Sequence, residues 1–431
     1  MNTRVKPDWY GRVLQEIDAG RADLVRFLVD LVRMPSVSGS DVENSAQDHL
    51  AGTFDDAGLE VDHWEVPLEQ ARAAPDFPGM EVDRTQAWGL VGRLPGRSSG
   101  PSLMLNAHVD VVPAGNRSTW ARDPFSGSID GDLLYGRGAC DMKAGAVAAL
   151  WAVRALRRVG APLLGDVLLA SVQGEEDGGL GSYDLLRRGW RADACVIPEP
   201  TGLDLVPANA GSLTFRLRVP GHATHASRRT SGVSAVEKFW PVWQALQELE
   251  RRRNTDIDPL FARWDIAYPL SIGMVHSGEW ASSVPDLLVA EGRLGVALDE
   301  PPDHARADLE AAVSRACDRD PWLRTHPVQV EWWGGQFDSG RLAPSSDLLE
   351  RVRSAHASVT GGGSQSTWGA PYGSDLRLLT RIGKIPTMHY GPGDVGLAHG
   401  PDESVSLSQT LTCARALAVL ALDYCGIDRS P

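Results

Sequence analysis

Residues 142–172 read MKAGAVAALWAVRALRRVGAPLLGDVLLASV: a stretch dominated by Ala, Leu and Val to Val159, a glycine at 160, and a second apolar run from Asp166 to Val172. The first stretch predicts a long helix over Met142 to Val159 that Gly160 stops, and the second predicts a strand. Helical spacing recurs upstream at Leu24, Val25, Phe27, Leu28, Leu31 and Val32, within Gly20 to Met34, and again from Ser45 to Gly58. Leu59 to Val66, Trp88 to Leu94 and Ser102 to Val109 read as further strands. Strands alternating with helices of this length predict an α/β domain around a largely parallel central sheet.

The texture changes near residue 210. Ser212 to Val219 (SLTFRLRV) alternates polar and apolar, as does part of Val284 to Val296, which predicts strands with one face on water and the other on helices. Val233 to Arg252 and Asp303 to Arg319 carry helical patterns. An α+β block inserted over residues 211–335 is therefore expected, with residues 1–210 and 336–431 forming one discontinuous domain. The Gly361-Gly362-Gly363-Ser364 stretch reads as a loop, and no internal repeat is visible.

With 42% hydrophobic and 23% charged residues, the 431-residue chain has the composition of a soluble globular protein. Its 42 Lys and Arg against 56 Asp and Glu give a net charge of −14 with no basic block, which argues against a nucleic-acid partner because phosphate binding needs clustered cations. No stretch approaches the ~18 apolar residues of a membrane span, and Met1 to Arg12 lacks the apolar segment of a secretory signal. A cytoplasmic protein without membrane contact is expected. Cys140, Cys195, Cys317, Cys413 and Cys425 are odd in number, widely spaced and free of any C-x-x-C, so buried reduced thiols are expected in place of disulfides or a thiolate metal site.

The candidate chemistry lies at predicted strand ends. His108 and Asp110 close the run Leu103 to Asp110 and, as i and i+2 of a strand, share a face, so the carboxylate can fix the imidazole for metal ligation. Asp141 stands at the mouth of the long helix, Glu175 and Glu176 follow Val172-Gln173-Gly174, and Glu199 follows Ile197-Pro198. Residues just beyond the carboxyl ends of strands line the crevice of an open α/β sheet. A set of Asp, Glu and His without Cys suits zinc, cobalt or manganese. Taken singly, each has a plainer reading: a structural hydrogen bond for His108 with Asp110, a helix N-cap for Asp141, surface charge for the glutamates.

The stretches Asn106-Ala107-His108-Val109-Asp110, WARDPFSGSIDGDLLYGRGACDMK (120–143), GEEDGG (174–179), Glu199-Pro200-Thr201, GHATHAS (221–227) and AHGPDE (398–403) together resemble the co-catalytic zinc amide hydrolases. That family includes acetylornithine deacetylase, succinyl-diaminopimelate desuccinylase, aminoacylase and carboxypeptidase G. The resemblance implies a metallopeptidase-type catalytic domain and an inserted lid and dimerisation domain. It implies two Zn²⁺ per subunit, with Co²⁺ or Mn²⁺ as alternatives. Asp141 would bridge them, His108 and Glu199 would complete one site, and Glu176 with His399 the other. Asp110 would support His108, Glu175 would act as general acid/base, and a hydroxide held between the ions would attack the amide. His225 would reach from one subunit of a homodimer into the other's active site to stabilise the oxyanion. Relatives also have a cis peptide after the bridging Asp, so one is expected between Asp141 and Met142.

The function implied is hydrolysis of a C–N amide bond, chiefly deacylation of an N-acyl amino acid or related small molecule. Alternatives are a dipeptidase or exopeptidase, a hydrolase of a xenobiotic amide or aromatic amine, and, in another class, a catalytically silent binding protein. The lid departs from the family pattern. Many relatives carry Asn before the Val-Val-Pro or Val-Ile-Pro of the lid, and ten residues after that Pro an Arg that grips the substrate carboxylate. Here the stretch is Ser282-Ser283-Val284-Pro285 and the later position is Gly295. Arg293, two residues earlier on the same strand face, and Arg377 are the candidate substitutes. His222 reads as a surface or hinge residue, and His276 and His389 as core or surface residues.

Overall fold

A computed structural model describes residues 8–428; residues 1–7, the start of the Met1–Arg12 stretch, and 429–431 lie outside the described residues. The α/β expectation holds. The largest sheet of the described residues has nine strands, in the order Glu60–Glu65, Trp88–Leu94, Val167–Val172, Leu103–His108, Ala194–Ile197, Thr387–His389, Leu205–Asn209 and Gly340–Arg341, with Thr367–Ala370 beside Leu205–Asn209. Its centre, from Val167–Val172 to Thr387–His389, is parallel, and the outer pairs Glu60–Glu65 with Trp88–Leu94 and Gly340–Arg341 with Leu205–Asn209 are antiparallel. Every residue of Leu103–His108 and Val167–Val172 is buried, as strands covered on both faces must be.

The long helix is Ala144–Val159, wrapped by Leu407–Cys425, Trp9–Ala19 and Arg21–Arg33. Gly160, at φ 68°, closes it by donating to the Arg157 and Leu156 carbonyls, a left-handed cap that suits glycine. The expected start at Met142 moves to Ala144. Ala139–Lys143 forms a wider turn in which Asp141 (φ −115°, ψ 97°) and Met142 (φ −129°, ψ 33°) leave the helical region. Asp141 is thus not an N-cap, and its carboxylate is free to face the crevice. The Asp141–Met142 peptide is cis.

Two features have no counterpart in the sequence reading. Trp9–Ala19, capped by Asp8 through the Gly11 N–H, is a helix burying Val13 and Ile17. A small sheet joins Ser128–Asp130, Leu133–Tyr135 and Ser404–Ser406, pairing Ser404 with Tyr135. Strands of three residues carry too little periodicity to be read locally, yet this one brings Glu403 beside Gly136 and Arg137.

A second, four-stranded antiparallel sheet runs Leu270–Ser277, Leu287–Val296, Gly211–Pro220, Gln329–Phe337. Helices Ala235–Arg253 and Pro302–Arg319 cover one face, where Leu213, Phe215, Leu217 and Val219 pack with Val242, Leu246, Leu309 and Val313. Arg216 and Arg218 alternate with these, as the SLTFRLRV pattern predicts.

The helix Ala144–Val159 passes so close under the large sheet that a Cβ at Gly145 would lie 1.9 Å from the Pro198 carbonyl oxygen. Alanine brings about 1 kcal/mol of helix propensity, less than the ~1–3 kcal/mol of overpacking against a backbone that must move. Gly145→Ala is therefore expected to lower the chemical denaturation midpoint. Because Pro198 precedes Glu199, it should also lower bound metal in the purified protein.

Candidate metal and active site

The parallel strands Leu103–His108, Val167–Val172 and Ala194–Ile197 all end at one edge, so the residues that follow them converge over one point. His108 Nε2 lies 3.2 Å from Asp141 Oδ1 and 3.8 Å from Glu199 Oε1. His399 Nε2 lies 3.5 Å from Asp141 Oδ2 and 3.1 Å from Glu176 Oε2. Asp141 thus turns one oxygen to each imidazole. The donor atoms of His108, Asp141 and Glu199, and those of Asp141, Glu176 and His399, fall within 4.8 Å of one another in each cluster. All five residues expected as ligands are brought together.

Asp110 works differently from expectation. His108 Nδ1 is 3.0 Å from the Asp110 backbone carbonyl and 3.7 Å from its carboxylate, so the main chain orients the imidazole. The carboxylate instead accepts the N–H groups of Glu175 (3.2 Å) and Glu176 (3.3 Å) and the Ser38 hydroxyl (2.9 Å). It positions the adjacent glutamates.

Charge crowding defines the site. Burial pushes the Glu175 carboxyl well above its ordinary range, reinforced by Asp375, Glu199 and Glu176. Burial and the neighbouring Asp141 do the same to Glu199. His399 is pushed up to about 11, first by Glu176. His108 rises as well: burial opposes its charge, but Asp141, Glu199 and Asp110 outweigh it. Asp141, despite burial, is held below the usual carboxylate range by His108 and His399. Carboxylates that raise one another's affinity for protons, interleaved with imidazoles, form a donor set suited to divalent cations, which take the place of those protons. The residues fit two such ions, one per cluster, with Asp141 shared.

Sequence reasoning passed over the residues that hold Asp141. Glu403 Oε1 accepts the N–H of Cys140 (2.9 Å) and of Asp141 (3.1 Å), Glu403 Oε2 pairs with Arg137 (2.5 Å), and Arg137 also donates to the His399 carbonyl (3.1 Å). Both stood inside quoted motifs, Arg137 in 120–143 and Glu403 in 398–403. Their pairing across 266 positions of sequence was the missing signal.

The clusters form the floor of a cavity of about 410 Å³. Glu175 lines it, as do Arg293 and Gly295 from the second sheet, Phe337 and Tyr372. Arg377 does not. It is buried, donates to the carbonyls of Ser374 (2.9 Å) and Gly178 (2.7 Å), and lies 4.0 Å over the Phe337 ring. This corrects its candidacy as a carboxylate anchor, because its donors are spent on the main chain.

His225 is exposed on a turn, with Nδ1 2.8 Å from the Ser227 hydroxyl, and does not line the cavity of its own chain. Its loop packs on the Ser282–Pro285 stretch, through Ala226 N–H to Ser282 and Val284 N–H to Thr224. His222 and His276 are exposed. His389 is a core residue, bonded to the Ser374 hydroxyl (2.9 Å) and pushed down to about 3 by burial.

Residues 104–423 match the sequence model of Peptidase family M20/M25/M40. The chain is similar to an N-formyl-4-amino-5-aminomethyl-2-methylpyrimidine deformylase of Bacillus subtilis, at 27% identity over 95% of this chain and 96% of that protein. It is also similar to an acetylornithine deacetylase of Edwardsiella ictaluri, at 26% identity over 92% and 96%. Among solved structures, a dipeptidase of Saccharomyces cerevisiae superposes with a TM-score of 0.78 at 15% identity, over 98% of this chain and 99% of that one, and shares the fold. With the match over most of its length and the donor clusters in place, the chain belongs to peptidase family M20/M25/M40 and is a metal-dependent amide hydrolase.

Proposed function

We propose that the enzyme removes a short acyl group from a small N-acyl molecule, using two zinc ions, with cobalt or manganese as alternatives. His108, Asp141 and Glu199 would hold one ion, and Asp141, Glu176 and His399 the other. The observation that carries this reading is the sharing of Asp141 by two donor clusters beside Glu175, a carboxyl that belongs to neither cluster yet lines the same cavity. The names of the two relatives, one a deformylase and one a deacetylase, support a short acyl group.

When bound, the ions supply Lewis acidity toward the acyl oxygen and make water easier to deprotonate. Glu175 takes the proton from the attacking water as oxygen bonds to the acyl carbon. It hands that proton to the nitrogen as the C–N bond breaks, which leaves a carboxylic acid and a free amine. A carboxyl that burial makes readier to keep a proton suits this exchange.

We assign residues 1–210 and 336–431 to the metal-holding unit and 211–335 to a lid that also dimerises. The second sheet ends in the exposed strand Leu270–Ser277, with Met274 and Val275 on the surface, and Trp240 and Trp280 are exposed on the same unit. Such a surface supports a two-fold contact between copies. His225, outside its own cavity, would serve as oxyanion donor in that of a second copy. The five buried free cysteines fit the reducing cytoplasm, and no helix of the described residues is long and apolar enough to cross a membrane.

Glu175→Ala is expected to keep its metal and lose on the order of 10²–10⁴ in rate, whereas Glu176→Ala should lose one metal. Metal analysis of both variants checks this, and equal metal loss in the two would remove the division of roles. Removing an oxyanion donor costs ~2.7–4 kcal/mol, so His225→Ala should also be nearly inactive with metal intact. Mixing His225→Ala with Glu175→Ala under subunit exchange should restore about a quarter of wild-type activity, because a mixed dimer then contains one unimpaired site. No recovery despite verified exchange would place His225 in its own chain's site or in a structural role.

A further inference from the structure

Among the described residues that line the cavity, Arg293 is the only lysine or arginine. One nitrogen of its guanidinium, Nη2, is already engaged, with Glu81 and with the Glu176 carbonyl (3.4 Å). Arg293 donates to Glu81 Oε1 at 3.0 Å, and that same oxygen accepts from the Thr214 hydroxyl (2.7 Å) and the Gly335 N–H (3.3 Å). Glu81 is itself held from behind. Its own N–H and that of Val82 donate to Asp177 (3.2 and 3.0 Å), and Asp177 pairs with the buried Arg84 at 2.8 Å. The carboxylate opposite Arg293 is therefore a fixed acceptor, set by three strands of the second sheet and by the loop that carries Glu175 and Glu176.

A substrate carboxylate that approaches Arg293 also meets the Glu81 carboxylate beside it, whose charge offsets much of the attraction. The floor of the cavity is rich in carboxylates. Asp141, Glu175, Glu176 and Glu199 form the floor, and two divalent ions there would do no more than balance them. Phe337, Tyr372, Pro269 and Pro371 complete the walls, together with the hydroxyl-bearing Ser212, Ser271 and Ser374.

We infer that Glu81 is a specificity-determining residue: it offsets the charge of Arg293, so that the enzyme selects acyl derivatives of amines that carry no carboxylate. This rests on the deacylase reading above and narrows its amine half.

The test uses a matched pair, N-formylphenethylamine and N-formylphenylalanine, which differ only by the α-carboxylate, with zinc-loaded full-length protein. Wild type is expected to favour the first in kcat/KM. Glu81→Gln should shift the ratio toward N-formylphenylalanine by roughly 10- to 100-fold, the range of a charge-assisted hydrogen bond. The shift should appear mainly in the KM of the acid, at unchanged zinc content, and vanish in the Glu81→Gln, Arg293→Gln double variant. Because both substrates are measured on one preparation, a general loss of fold lowers both rates and leaves the ratio where it was. Arg293→Gln alone, which leaves Glu81 without its cation, should lower the acid's share further.

A wild-type enzyme that takes N-formylphenylalanine as readily as the amine derivative, a ratio indifferent to Glu81→Gln, or a selective gain of the acid in Arg293→Gln would each overturn the inference. If wild type releases amine from neither compound nor from any other N-formyl or N-acetyl amide, the deacylase reading falls and takes this one with it. Turnover with a ratio that ignores Glu81 removes this one alone.

Discussion

One carboxylate oxygen, Glu403 Oε1, receives the main-chain N–H groups of both Cys140 and Asp141, and the placement of the shared ligand depends on it. A carboxylate so buried needs a partner. Burial pushes the Glu403 carboxyl up, Asp141 adds to that, and Arg137 pulls it back. Arg137 is also committed to the His399 carbonyl and lies 5.2 Å from the Trp120 ring. One ion pair thereby fixes a ligand common to both donor clusters and the loop of another.

A second set of charges holds the opposite wall. Glu43 Oε1 accepts the Gly174 N–H at 3.0 Å and the Arg84 guanidinium at 3.1 Å, while Arg84 also binds Asp177. Asp110 takes the next two N–H groups along the same loop. Burial and the nearby Asp110 push Glu43 up to about 7 against the pull of Arg84. The loop 174–177 thus hangs between buried carboxylates by its own backbone. Glu175 and Glu176 diverge from it, one into the cavity and one onto His399, with no help from secondary structure.

The legible parts of this molecule are those in which cause and effect are close in sequence. The apolar runs at 103–108 and 167–172 announce buried parallel strands, and the residues just after them announce the crevice. SLTFRLRV announces a half-exposed sheet by its alternation, and the covering helices announce themselves by helical spacing over 233–252 and 303–319. What stayed illegible is long-range or side-chain specific. Arg137 and Glu403 meet only through strands of three residues. The burial of Arg377 follows from Phe337 and the 178 loop folding over it, neither of which is its sequence neighbour. The Asp110 carboxylate shares a strand-end motif with His108, yet whether it faces the imidazole or the next loop depends on where Glu175 arrives. Glu81 lies in a stretch between predicted strands with no periodicity, and its side chain meets its partners on the second sheet.

His108 closes a strand of the large sheet, Glu176, Glu199 and His399 follow others, and Asp141 stands in the turn that opens the helix packed beneath it, whereas Ser212, Ser271, Arg293 and Gly295 reach the cavity from the four-stranded sheet. The candidate ligands and this part of the cavity wall are thus carried on separate scaffolds. On the proposed reading, substitutions in the smaller sheet reshape the space offered to an amide, while the donor clusters keep their own supports and meet that sheet where Arg293 donates to the Glu176 carbonyl.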